Sequence, residues 1–152
     1  MEFRQIASEN FDAVCRLQNP ASGRFVATNE RSLAQAWLFR KNSEVFPYAI
    51  YEGETPVGFI MLRKIFKERR LLLWRLMIDE KYMHRGLGTA AVRKVIDDVR
   101  ASGDFDRITL FCEAENAGAL RLYERLGFHW DGAMDEEDRI LMLDLNDTGG
   151  NR

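Results

Sequence analysis

The stretch Leu71-Leu72-Leu73-Trp74-Arg75-Leu76-Met77-Ile78, with Met83-His84-Arg85-Gly86-Leu87-Gly88-Thr89 shortly after it, decides the fold of this chain. Leu71 to Ile78 is nearly continuously apolar, as a strand covered on both faces must be. A glycine-containing loop comes next. From about Gly86 to Arg100 a helical pattern follows, carried by Ala90, Ala91, Val92, Val95, Ile96 and Val99, and Arg107 to Cys112 reads as another strand. Strand, loop, helix and strand in that order predict a crossover between two parallel neighbours.

Outward from this centre the signals are shorter. Glu2 to Ile6 alternates as a first strand. Asn10 to Gln18 has helical spacing and is stopped by Asn19-Pro20. Ser32 is the expected cap of a second helix running to about Arg40, with Leu33, Ala36 and Trp37 on its packed face. Pro47 to Tyr51 and Val57 to Ile65 read as a hairpin through Glu52-Gly53-Glu54-Thr55, and Arg69-Arg70 turns into the central strand. Beyond it, Asn116 offers a cap to a helix ending at Leu126, and Gly127 suits the left-handed position that closes it. Phe128 to Trp130 and Arg139 to Leu145 finish the sheet around a solvated acidic turn, Asp135 to Asp138. The hairpins make the sheet mixed. The expectation is one α/β domain over 1–146, with about seven strands and about four helices, and a frayed tail over 147–152.

Composition narrows the function classes. With 152 residues the chain can bury a core without disulfides, and its 46% hydrophobic and 30% charged residues suit a globular domain. The net charge of −2 argues against nucleic acid as the main partner. No apolar run approaches the length of a membrane span, and the N-terminus lacks a signal-peptide core, so no membrane and a cytoplasmic location are expected. Cys15 and Cys112 have no metal-ligand spacing and read as buried free thiols, so no metal is expected. Strand edges and apolar helical faces are compatible with a homodimer.

The loop carries the chemistry. Gly86 and Gly88 lack Cβ atoms, which lets the backbone turn tightly and lets a ligand approach. The first amides of the helix after it have no intrahelical partners, and the helix dipole favours an anion there. Arg85 adds positive charge. A pyrophosphate fits this arrangement; a plain tight turn has the same spacing. The chain has no Gly-x-x-x-x-Gly-Lys-Ser/Thr pattern, and the dinucleotide fingerprint lacks its third glycine because Ala91 stands there.

The segment from Leu76 to Gly88 resembles motif A of the GNAT superfamily of N-acetyltransferases, and Asn116 to Phe128 resembles motif B. Order and separation agree, and the similarity covers about residues 2 to 145. Arg24 to Asn29 and Trp74 to Asp79 further resemble the bacterial spermine/spermidine (diamine) acetyltransferases. Two positions depart from the family pattern: Met83 stands where Gln or Arg is usual, and His84 where glycine is common.

The resemblance implies a splay between the two central parallel strands and acetyl-CoA as acetyl donor. Leu76, Met77 and Ile78 would run along its pantetheine arm, with a backbone N–H near Met77 for the developing oxyanion. Such a donor is typically worth about 2.7–4 kcal/mol of transition-state stabilisation. Met83, His84, Arg85, Gly86, Leu87, Gly88 and Thr89 would hold the diphosphate. Asn116, Ala119 and Tyr123 complete the cofactor set. Tyr123 is the expected acid for the departing thiolate, and Glu113 and Glu30 are the expected bases, acting through ordered water, ahead of Asp79. The acceptor expected first is a polyamine or diamine, met by Glu30, Glu44, Glu113, Trp37, Trp74 and Tyr48. An amino acid, a protein N-terminus or a drug amine is the alternative acceptor, and a non-catalytic acetyl-CoA sensor or scaffold is the alternative of another class.

Overall fold

Seven strands hydrogen-bond into one sheet, in the order β1-β2-β3-β4-β5-β7-β6, in the computed structural model of the chain. The structure describes residues 1–20 and 25–146, so Arg24 and the 147–152 tail lie outside the described residues. In chain order the elements are β1 Glu2–Gln5, α1 Phe11–Arg16, α2 Asn29–Leu38, β2 Val45–Glu52, β3 Thr55–Ile65, β4 Arg70–Ile78 and α3 Leu87–Ser102. They continue with β5 Arg107–Glu113, α4 Ala117–Arg125, β6 His129–Asp135 and β7 Asp138–Asp144. β4 and β5 are parallel neighbours joined through α3, as the central pattern predicts, and the other strand pairs among the described residues are antiparallel.

Each face of the sheet buries its own set of side chains. Ala91, Val92, Val95, Ile96 and Val99 of α3 form one stripe against Ile60, Leu71, Leu73 and Ile108. Partly buried side chains of α4, Leu122 and Tyr123 among them, extend this core. On the opposite face Val14 of α1, with Leu33 and Ala36 of α2, covers Ala49, Phe59, Met61 and Met77. Sheet alternation does the sorting: Phe59 and Met61 go to one face and Ile60 to the other.

Two features of β4 shape what lies beside it. Its pairing with β5 covers only Arg70–Leu73 against Arg107–Leu110. Past that point Arg75 to Ile78 pair with β3, and Phe111 to Glu113 with β7, so the sheet forks as the resemblance implies. The second feature is a bulge. Leu62 pairs with Leu73 and Met61 with Arg75, which leaves Trp74 as the extra residue. Opposite Ile78 stands Gly58, where a Cβ would collide with the Met77 carbonyl and come within 2.9 Å of Ile78 Cδ1. Only glycine lets the two strands close up there.

Two local expectations are corrected. The cap of α2 is Thr28, whose Oγ1 accepts from the Arg31 amide at 3.3 Å; Ser32 lies inside the helix, fully buried, with its hydroxyl unpartnered. The helix begins a turn earlier because Thr28 reaches the third helical amide and so satisfies one of the orphan donors. Trp37 is 63% exposed, since the packed stripe runs Asn29, Ser32, Leu33, Ala36 and leaves it at the edge. The Arg40 guanidinium covers its ring at 3.7 Å. Cys15 is half-buried and Cys112 buried, both free. Among the described residues no helix is long and apolar enough to cross a membrane.

Candidate active site

The fork opens into a cavity of about 1080 Å³ that passes from one face of the sheet to the other. The start of α3 and the inner side of α4 wall it on one face. On the other it reaches Trp74, Arg75 and the segment Phe25 to Thr28 that leads into α2.

The α3 end is built to leave donors free. Gly86 precedes the helix with φ 76°, a left-handed conformation that favours glycine, and no side chain caps the amides that follow. The other helix starts at this cavity are treated differently: Thr28 caps α2, and the Asn116 Oδ1 accepts from the Ala119 amide at 3.3 Å to cap α4. The first turn of α3 has no acidic residue either. Gly86, Leu87, Gly88 and Thr89 all line the cavity, as do Met83 and His84. Met83 Sδ lies 3.6 Å from Asn19 Nδ2, and His84 takes the left-handed φ of 61°. The Arg85 side chain leaves the wall and stacks on Tyr82, 5.6 Å from its ring centre.

Along β4 the backbone alternates between β3 and the fork. The Asp79 amide donates to the Val57 carbonyl at 2.8 Å, and the Met77 carbonyl faces Gly58. Paired antiparallel residues exchange both bonds, so the Met77 amide is turned to β3, and Leu76 and Ile78 direct their amides into the fork. The amides near Met77 that are open to a ligand are therefore those of its two neighbours. Asn19 Nδ2 donates to the Ile78 carbonyl at 2.6 Å on that side. Asp79 accepts the Gln18 and Lys81 amides, both at 2.9 Å, and ties the strand end in place.

Tyr123 lines the middle of the cavity with Ala119, Asn116, Cys112 and Glu113. Its ring meets Phe128 edge to face at 5.7 Å. Among the described residues its hydroxyl has no hydrogen-bond partner. Burial, followed by the nearby Cys112, pushes the phenol well above its ordinary range, so it holds its proton. The Cys112 thiol is pushed up to about 11 by burial and then by Asp138 and Glu113, which keeps it from acting as a nucleophile. Of the two expected bases, Glu113 lines the cavity; Glu30 is exposed on the first turn of α2, outside the lining. Of the remaining amine-recognition set only Trp74 reaches the cavity. Glu44 pairs with Arg63 at 3.7 Å, Tyr48 stacks on Phe3, and Trp37 faces solvent.

Five charged lining residues have no role in the sequence reading: Arg31, Arg75, Arg121, Arg125 and Asp138. Asp135 to Glu137 are exposed as the solvated turn predicts, but Asp138 opens β7 directly opposite Glu113. Burial, then Asp135 and Glu137, push its carboxyl above the ordinary range, and Arg75 pulls it back in part. The strand register makes this placement, and no local pattern announces it. Among the described residues no group of His, Cys, Asp and Glu is arranged to hold a metal.

Comparison with known proteins gives the family. Residues 11–128 match the profile described as "Acetyltransferase (GNAT) family". The chain is 36% identical over 100 residues to the spermine/spermidine N(1)-acetyltransferase of Bacillus subtilis, covering 61% of this chain and 64% of that one. Identity to N-alpha-acetyltransferase 30 of Xenopus laevis is 42% over 81 residues, 50% of this chain but only 29% of that protein. The chain thus spans less than two thirds of these relatives. Among solved structures, the PaiA N-acetyltransferase of Thermoplasma acidophilum in complex with coenzyme A superposes with a TM-score of 0.70 at 19% identity, covering 94% of this chain and 98% of that one. A spermidine N-acetyltransferase SpeG chimera from Vibrio cholerae and hSSAT gives 0.77 at 14% identity, covering 95% and 97%. With the family profile matching most of its length, the chain belongs to the acetyltransferase (GNAT) family.

Proposed function

We propose that the chain transfers an acetyl group from acetyl-CoA to an amine. The observation that carries this reading is the forked sheet, whose cavity begins at the uncapped amides of α3 and passes the unpaired hydroxyl of Tyr123. The residues present fit the donor. Leu87, Gly88 and Thr89 would offer their amides to the diphosphate, and His84 lies beside them. Leu76 and Ile78 would offer backbone groups to the pantetheine arm, as a missing strand would. Asn116 and Ala119 would flank it.

Acetyl-CoA supplies an activated thioester that an amine can attack directly. The protein's part is positioning and proton traffic. An amide in the fork, from Leu76 or Ile78, donates to the acyl oxygen. The Tyr123 phenol, kept neutral by burial, gives its proton to the departing sulfur. Glu113, with Asp138 beside it in register, takes the proton that the attacking ammonium must lose, through water. Glu30 has no part in this reading.

The acceptor has two sources of support. The similarity to a spermine/spermidine acetyltransferase favours a polyamine. The similarity to N-alpha-acetyltransferases and to a ribosomal-protein alanine N-acetyltransferase favours an N-terminal or amino-acid amine. Steady-state release of CoA thiol over an amine panel tests the transfer itself. Turnover with at least one amine is expected, and it should fall about a hundredfold in Tyr123→Phe while acetyl-CoA still binds. Binding of acetyl-CoA without turnover of any amine would instead identify a sensor.

A further inference from the structure

On the α2 face the mouth of the cavity carries two arginines, Arg31 and Arg75. The bulge in β4 turns Trp74 and Arg75 to the same side, toward α2. There the Arg75 guanidinium donates to Gln35 Oε1 at 2.9 Å and to the Trp74 carbonyl at 3.0 Å, while its Nε is buried without a partner. Arg31 joins it from the first turn of α2, where the helix dipole already disfavours a cation. Among the described residues no carboxylate lies within ion-pair distance of either side chain. Arg63, the other arginine with a buried unpartnered Nε among the described residues, has Glu44 at 3.7 Å. Desolvation, and then Arg31, press the Arg75 guanidinium toward losing its charge, with Asp138 opposing them. A half-buried cation held against a second one is costly unless something anionic arrives.

Across the cavity Glu113 and Asp138 face each other in register and supply the opposite sign. We infer that the acceptor is an amine that also carries an anionic group, a carboxylate or a phosphate, bound between Arg31 and Arg75 while its ammonium meets Glu113 and Asp138. This rests on the acetyl-transfer reading and narrows its substrate. A polyamine has nothing to offer the two arginines and brings more positive charge to them. Recognition of a carboxylate or phosphate by a guanidinium is among the stronger polar contacts available to a protein.

The test uses pairs of amines that differ in the anion. Ornithine against putrescine and phenylalanine against phenethylamine report on a carboxylate; phosphoethanolamine against ethanolamine reports on a phosphate. The anionic member of at least one pair is expected to show kcat/KM about tenfold to a hundredfold higher. Arg31→Gln, an exposed change that leaves the fold intact, should erase most of that preference through the acceptor KM and leave the KM for acetyl-CoA unchanged. A preference for putrescine, phenethylamine and ethanolamine, or an unchanged acceptor KM in Arg31→Gln, overturns the inference and leaves acetyl transfer standing. Absence of thiol release with every amine counts against acetyl transfer instead. The mouth is then judged by calorimetry on CoA-saturated protein, where N-acetylphenylalanine must bind more tightly than N-acetylphenethylamine.

Discussion

Tyr123 and Asp138 are two acids of one cavity that burial pushes the same way. The phenol is held above its ordinary range, so it stays protonated through and beyond neutral pH and is available as a donor. The kcat profile should therefore rise with pH as the amine deprotonates, with no alkaline fall between about pH 7 and about pH 9.5. A fall in that window would mean that the phenol ionises early. The Asp138 carboxyl is also raised, by burial ahead of its acidic neighbours. A carboxyl raised on folding stabilises the protein fully only below the ordinary carboxylate range, and that contribution is lost as pH rises through its folded value. At neutral pH the charged form is therefore a burden. Asp138→Asn should leave Tm the same or higher at neutral pH while lowering kcat/KM for the amine, and a lower Tm with unchanged kinetics would remove Asp138 from the site.

At the scale of elements, two glycines separate packing from ligand binding. Gly58 must be glycine for the strands to meet, since a Cβ there strikes the Met77 carbonyl. Gly58→Ala should cost about 1–3 kcal/mol by overpacking, seen as a lower midpoint in urea. Gly88 is different: a Cβ would find only Leu122 Cδ1 at 3.5 Å and Ile78 Cγ1 at 3.9 Å, ordinary contacts. Gly88→Ala should therefore hold or raise stability, by up to about 0.5–1 kcal/mol, while raising the Kd for acetyl-CoA. Loss of stability with unchanged affinity would assign Gly88 to packing alone. The elements most legible in the sequence were those with strong periodicity or punctuation: β4, α3, the Asn116 cap and the left-handed Gly127 at φ 95°. The fork was expected only through resemblance, because apolar strands look alike whether or not their neighbour stays paired. The bulge at Trp74, which aims Arg75, and the register that sets Asp138 against Glu113 are products of pairing between distant segments. Thr28 and Ser32 are both residue types that cap helices, and only the packed stripe of α2 decides between them.

For the molecule as a whole, charge is distributed against its own sum. The chain is weakly acidic at −2, yet the cavity wall on the α2 side presents Arg31 and Arg75, which have no carboxylate partner among the described residues. Sequence-wide charge could not foretell this, since local fields follow placement and not totals. In the proposed transfer α3 and α4 would frame the donor end and α2 the acceptor end of the cavity, with the fork joining them through the sheet. A ligand spanning that fork would fill the missing pairing between β4 and β5 and tie the halves of the sheet together. Isothermal titration of the folded protein with acetyl-CoA tests this most directly. The account predicts saturable one-to-one binding with Kd in about the micromolar to sub-millimolar range, accompanied by a rise in Tm with ligand concentration. No heat of binding and no shift in Tm at millimolar acetyl-CoA would contradict it.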